Sequence, residues 1–562
     1  MASQQTPRGR PRLRYRSPGT VGLIYYYIAT ATEAMYKITT NLILTCVYLM
    51  LLVSSRQHKS PPCSTDADLN VTLQATLWGR REAMLSESGT SRSRPTALIN
   101  RLPPEILAMI FTLASRRCIT QKVTDLGPRL AMPTVFSSIC SLWRRVSLST
   151  RSLWSHLDIS IDHSKSKLYY DRLKLWEARS RPGPLSVHIL DAVASWDYDL
   201  LEAMATDIVS FLTPHMVRVS EVQITFRSRN FPNYMLDLLS LWARKGAAKP
   251  ARVLKIGDQE SVFERIDLRD RLSRTAKPVA IDDFESFFQP LHTLHLQRVF
   301  VPWDSSVYHG LVDLYITAGA HSPQHWLPTQ SQLARVLAAC PKLRSLRLID
   351  FTVRPDRGFV PSPIIFDYLE VLSLLQPQSS DRACMKQVLP LIGSNTPLEA
   401  GLELFTEPDC AAITRSFFAR CNVTRLYLST KSLTARHILP FLAGHLPHLQ
   451  ALAIEFFDFT DGTTQRRMAT PEANPTSDPW PQLRDLYMIR CILNSDHEQI
   501  RQLLRYHLVQ KLYLLDCTRR YGTPGELRKE IEDIQRLGEN LGVSEVVTKR
   551  PIAGHPASWN VV

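Results

Sequence analysis

The chain lacks every compact catalytic signature. Its 562 residues contain no GxSxG elbow, no HExxH helix, no phosphate-binding P-loop and no GxGxxG turn, so no residue takes a catalytic role and no cofactor or metal is implied. The ten cysteines form no CxxC pair and no close, even spacing. They read as reduced, mostly buried thiols of an intracellular protein. A bilayer-crossing run of about 20 apolar residues is missing too: the longest candidate, Ile38 to Val53, has 16. Nor is the body of the chain basic, although the net charge is +15. Residues 1–100 carry 12 Lys+Arg against 5 Asp+Glu and residues 101–160 carry 8 against 3, leaving 47 against 44 for the other 402. A nucleic-acid-binding domain concentrates base on its own face, so this near-neutral bulk argues against a nucleic-acid partner.

What is present is globular material for more than one unit. Apolar residues make up 44% and charged residues 21%, which permits a large packed core. Residues 1–94 read as a basic tail and linker. Arginines alternate with Pro, Gly and Ser through the first 20 positions, a composition that does not fold. The apolar segment Ile38 to Val53 follows, and residues 54–96 are polar with Pro61-Pro62. Upstream arginines before an apolar run resemble a signal anchor. Three readings stay open for it: an anchor, an apolar extension with no folded role, or a covered helix. An anchor with its arginines in the cytoplasm would put residues 55–562 outside it, so a membrane-anchored chain competes with a cytoplasmic or nuclear one.

The densest pattern lies between Leu98 and Ser160. Leu102-Pro103-Pro104-Glu105-Ile106-Leu107 opens an amphipathic helix. The prolines suit a first turn, where a missing N–H costs nothing, and Glu105 complements the positive helix end. Ile106, Ile110, Leu113 and Ala114 recur on one face, with Leu107 and Phe111 beside them. After a loop over 120–133, a second helix is expected from about Thr134 to Ser147, with Val135, Ile139, Leu142, Trp143 and Val146 inward and Arg144 and Arg145 in solvent. Leu153-Trp154 supplies a closing apolar plug.

Beyond Trp154 the texture changes. A helix over Leu168 to Ala178 (Leu168, Leu173, Leu175, Trp176) stops at Pro182-Gly183-Pro184. A pattern of apolar-x-x-apolar-x-apolar then recurs, beginning at Val219, Ala251, Leu291, Leu311, Leu343, Leu369, Val423, Leu449, Leu483 and Val509. A degenerate copy is expected near Leu402-Leu404. Three pairs of starts, Leu343 and Leu369, Val423 and Leu449, and Leu483 and Val509, share one identical interval. Apolar-periodic helices fall near them, at 333–338, 438–442 and 500–504. That interval lies within the leucine-rich-repeat period, one strand plus one helix in roughly 20–29 residues, and such units bury their faces only by stacking. Cys491 and Cys517 hold the ninth position of two copies, where these repeats commonly place Asn or Cys, and are expected to pack as a ladder. A helix from Glu526 to Leu537 reads as a cap. The expected fold class is therefore α/β: a small all-helical module over 95–160, an irregular solenoid of parallel strands plus helices over 161–545, and a tail over 546–562.

Other polar residues carry no assignment. His437, His445 and His448 sit at a helix-to-turn junction and read as a surface turn, while Asp158, Asp162 and His163 lack the context of any hydrolase.

Leu102-Pro103-Pro104-Glu105-Ile106-Leu107, then Cys140-Ser141-Leu142-Trp143 and Leu153-Trp154, resemble the F-box in its fungal form, with Ile139 where that form has Val. Leu185-Ser186-Val187-His188-Ile189 is similar to the strand that follows in those proteins. The resemblance covers the stretch from Leu98 to Ser160. It implies a helical module that docks on the adaptor subunit of an SCF ubiquitin ligase and, through it, a cullin, while the repeats bind a protein substrate. By the same resemblance, Leu102, Pro103, Ile106, Leu107 and Ile110 would line the adaptor contact with Cys140 and Trp143. The competing expectation is a repeat scaffold with no ligase role.

Overall fold

The computed structural model describes residues 102–115, 132–161, 166–191, 206–226, 233–245, 251–258, 266–275, 278–318, 326–375, 383–403, 408–429, 446–459, 483–493, 500–501, 503–504, 509–519 and 524–548. Ile38 to Val53, the 438–442 helix, His437, His445, Asp162, His163 and Leu404 lie outside these. Among the described residues no helix is long and apolar enough to cross a membrane. The chain divides after Trp154 into two compact units, so the module boundary expected at 160 falls inside the first strand of the second unit.

The first unit is helical: α1 (Pro104–Ser115), α2 (Met132–Ile139), α3 (Ser141–Ser149) and a 3-10 turn, Arg151–Trp154. Where the sequence suggests one helix from Thr134 to Ser147, there are two. Cys140 breaks them because its backbone is extended (φ −156°, ψ 171°) and caps α3, its Sγ accepting the Trp143 N–H at 3.5 Å. The core is aromatic. Phe111 stacks on Phe136 at 4.4 Å between centroids and meets Trp143 at 4.8 Å. Trp154 is fully buried and its Nε1–H donates to the Ser147 carbonyl at 2.8 Å. Phe136 does the packing that the sequence reading gives to Val135, Ile139 and Leu142, which are only half-buried.

The second unit is α/β, with one large parallel sheet. Its path runs β1 (His156–Ile161), β2 (Leu185–Asp191), β3 (Val219–Phe226), β4 (Val253–Asp258), β5 (Thr293–Gln297), β6 (Asp313–Thr317), β7 (Ser345–Ile349), β8 (Val371–Leu375), β9 (Ile392–Glu403), β10 (Cys421–Ser429), β11 (Ala451–Glu455), β12 (Asp485–Ile489), β13 (Lys511–Leu515) and β14 (Glu545–Val547). Strands lie side by side in chain order, each parallel to the last. A parallel neighbour requires a crossover, and helices fill several: α4 (Ser166–Ser180), α5 (Asn233–Lys245), α6 (Gln330–Ala338), α7 (Pro408–Arg420) and α8 (Pro524–Asn540). Thr329 and Gln332 close a reciprocal capping box at the start of α6, which fixes where that crossover begins.

The apolar triplets explain the register. All ten full copies are buried, and their middle residues align across strands: Leu254, Leu294, Leu314, Leu346 and Leu372, then Leu426, Leu452, Leu486 and Leu512. The degenerate copy lies two residues earlier than expected. Ala400, not Leu402, pairs with Leu372 and Leu426; its small side chain hides the pattern, and register shifts after Ser394 displace it. Leu175, expected inward on α4, is exposed, while Leu173 and Trp176 are buried. On the opposite face of the later strands a second apolar cluster, including Val371, Tyr427, Ala453, Tyr487 and Leu515, is also buried, so both faces of the sheet there carry buried apolar side chains.

A second regularity lies at the strand exits. Arg298, Asp350, Phe456, Arg490 and Asp516, each the residue just after β5, β7, β11, β12 or β13, have positive φ between 46° and 62°. The next residue, Val299, Phe351, Phe457, Cys491 or Cys517, turns inward and is buried. The Cys491 thiol donates to Ile454 O at 3.5 Å and the Cys517 thiol to Met488 O at 3.3 Å. Burial pushes the Cys491 thiol well above its ordinary pKa, so it stays protonated and able to donate.

Candidate docking surface on the helical module

The seven residues singled out on the module divide into two groups. Leu107 is fully buried and Trp143 nearly so. Both belong to the aromatic interior and present nothing to a partner. Pro103 and Ile106 are exposed; Leu102, Ile110 and Cys140 are half-buried. The structure therefore brings Pro103, Ile106 and Ile110 to the surface of one helix and turns Leu107 away from them.

Helix geometry causes the split. Residues three and four apart share a face, so Leu107 and Phe111 point inward together while Ile106, Met109, Ile110 and Leu113 form the outer stripe. Ile106 is 37% exposed, Met109 58% and Leu113 42%. Met109 and Leu113 are absent from the residues that the sequence resemblance picks out. The signal for them was available in the i, i+3, i+4 periodicity once Leu107 and Phe111 are assigned to the core.

The start of α1 is exposed from Pro103 through Ile106. Pro104, the first helical residue, has no N–H to leave unpaired, and the Leu107 N–H closes the first turn on Pro103 O at 3.1 Å. The result is a rigid, apolar leading edge with one charge, Glu105. Contiguous apolar side chains on a small unit mark a surface that meets another protein, and a helix with anchors at i, i+3, i+4 and i+7 fits a groove. Arg144 and Arg145 on α3 are exposed, with Arg144 Nε bonded to Ser137 O at 3.0 Å.

No family model matches the chain, and no curated protein matches it.

Proposed function

We propose that the chain is the substrate-recognition subunit of an SCF-type ubiquitin ligase, its helical module an F-box that docks on the adaptor subunit and thereby on a cullin. The observation that carries this reading is the outer stripe of α1: a helix opened by Leu102-Pro103-Pro104-Glu105 whose Ile106, Met109 and Leu113 stay exposed although the module has a complete aromatic core without them. Such residues are costly to leave in water unless a partner covers them. The second unit is read as an irregular leucine-rich-repeat solenoid that binds the target protein. Strand pairs that recur at one fixed interval in matched register, and the repeated left-handed exit residue, support that reading. In this scheme the chain itself performs no bond chemistry and acts in the cytoplasm or nucleus.

The test is co-purification of the full chain with the SCF adaptor. Wild type is retained. Ile106→Asp with Met109→Asp, and separately Leu102→Asp with Pro103→Ala, lose at least about 30-fold in affinity, the weight of an interface hot spot. Far-UV circular dichroism shows both variants folded, because none of the four residues is in the core. A wild type that fails to bind, or variants that bind as well, overturns the reading and leaves a repeat scaffold without a ligase role.

A further inference from the structure

The first two strands of the sheet place four polar side chains in a square. His156 and Asp158 sit two apart on β1 and share a face; parallel pairing sets Ser186 beside His156 and His188 beside Asp158. The opposite face of the same strands carries Leu157, Ile159, Val187 and Ile189, all buried, so the register is fixed by the core. The polar square is thus held by packing on its reverse side and does not depend on its own contacts for its shape.

Within the square, Asp158 Oδ1 is the point of convergence. His156 Nε2 lies 3.0 Å from it and His188 Nδ1 3.1 Å. The three donor atoms all fall within 4.8 Å of one another. Zinc–nitrogen and zinc–oxygen bonds of about 2.0–2.2 Å imply ligand-to-ligand edges of roughly 3.3 Å in a tetrahedron, close to both measured separations.

Proton bookkeeping singles out this arrangement. A hydroxyl has one proton and a carboxylate none. Ser186 Oγ gives its proton to Glu221 Oε2 at 2.8 Å. It must therefore accept from its other neighbour, His156 Nδ1, at 3.2 Å. That fixes the neutral His156 ring with Nδ1 protonated and the Nε2 lone pair aimed at a carboxylate oxygen 3.0 Å away. Two acceptors at that distance repel unless a cation, a second ring proton or a metal ion, lies between them. His188 also has a neighbour behind it, its Nε2 lying 3.4 Å from Thr225 Oγ1. Metal-binding imidazoles usually carry an outer partner of this kind on the second nitrogen, which sets tautomer and ring angle.

We propose that His156, Asp158 and His188 form a binding site for a divalent transition-metal ion of the zinc class. His188 is the buried floor, its side chain 3% exposed, while His156 and Asp158 are each about one-third exposed (32% and 33%). Three protein ligands with an open side leave the fourth position for water or for a donor atom from a bound molecule. Two imidazoles and one carboxylate favour zinc, nickel or copper over magnesium or calcium, which take oxygen. The site is independent of the ubiquitin-ligase reading, since it uses nothing from the helical module.

The experiment titrates chelator-stripped full-length protein with Zn²⁺ by calorimetry and with Co²⁺ by visible absorption. The wild type takes up one equivalent at this site and gives the intense d–d bands of a four- or five-coordinate ion. His156→Gln and Asp158→Asn, both at partly exposed positions, abolish the bands and weaken Zn²⁺ binding by more than about 100-fold. Ser186→Ala, which only frees the His156 ring, weakens it by roughly 10–100-fold, the usual effect of losing an outer partner. Circular dichroism confirms that each variant is folded. The proposal is overturned if the wild type binds no ion, or if the two ligand variants bind as tightly and so assign the metal to others of the 16 histidines and ten cysteines.

Discussion

The main-chain N–H of Asp350 donates to the carbonyl of Leu375 at 2.8 Å, from a backbone twisted to a φ of 46°. The same link joins Arg298 to Thr317 at 2.9 Å, Phe456 to Ile489 at 3.1 Å and Arg490 to Leu515 at 2.8 Å. Each left-handed residue ends one strand and ties it to the last residue of the next. The turn that bends the chain off the sheet also adds the final rung of the ladder, so at these four strand exits the turn and the rung come together.

That geometry strains any residue with a Cβ, by about 1–2 kcal/mol at each left-handed position. At Arg298, whose φ is 61°, the comparison of Arg298→Gly with Arg298→Ala removes the arginine's own contacts from both sides. The glycine variant is more stable than the alanine variant by about 1–2 kcal/mol, reversing the order found at an ordinary strand position. Urea unfolding midpoints of the two proteins measure the difference.

In the helical module, burial separates residues that are adjacent in sequence. Trp143→Ala removes a ring packed on Phe111 and Phe136 and costs about 3–5 kcal/mol. Met109→Ala, on the outer stripe, stays within about 0.5 kcal/mol of wild type. Thermal melts of the full chain, followed by tryptophan fluorescence, read the first as an early loss of module structure and the second as no change.

Much of the sheet was legible from its leucines, because a triplet that must face one core keeps its spacing through ten copies. The helical module was legible in outline but not in facing. Periodicity groups Ile106 with Ile110 and Leu113, yet only the position of Phe136, brought over by α2, shows that Leu107 and Phe111 point to the core. The break at Cys140 was hidden because Ile139, Leu142 and Val146 keep helical spacing straight across it. The His156, Asp158 and His188 square was invisible for a different reason. Its members come from two strands separated by the whole of α4, and alternation within each strand does not say which residue of one lies beside which residue of the other.

Glu177 supports an acid-sensitive joint in the second unit. Its carboxylate accepts Arg181 Nε at 2.7 Å and Nη2 at 3.0 Å, together with Arg218 Nη1 at 2.7 Å, and ties the end of α4 to the turn before β3. Burial pushes the group up, but the Arg181 hydrogen bonds and the charges of His215, Arg181 and Arg218 outweigh it and hold it below the usual range. A depressed folded pKa means that the unfolded chain binds the proton first. Glu177 therefore contributes fully above its unfolded value, about 4.3, and that contribution is lost as pH falls through the folded value. Glu177→Gln costs about 3 kcal/mol at pH 7, since it leaves a largely buried guanidinium without its counter-charge, and it flattens the stability profile below pH ~4.3. Urea midpoints of both proteins between neutral and acid pH check the two effects together.

On the sheet face opposite the leucines, Tyr487 and Tyr513 stand directly across from each other on β12 and β13. Their rings stack at 4.2 Å between centroids with planes 4° apart. Free aromatic pairs prefer an offset or an edge contact, but parallel strands about 4.8 Å apart hold equivalent side chains one above the other. The stack is thus imposed by register, and its energy reports that register. Tyr487 is buried and Tyr513 half-buried, so the single alanine variants differ: Tyr487→Ala costs about 3 kcal/mol and Tyr513→Ala less. The double-mutant cycle isolates the pair term, which comes to about 0.5–1 kcal/mol. A coupling near zero would mean that the two rings are only neighbours of a common core, whereas a coupling in this range shows that β12 and β13 are locked in register by the rings themselves as well as by Leu486 and Leu512 behind them.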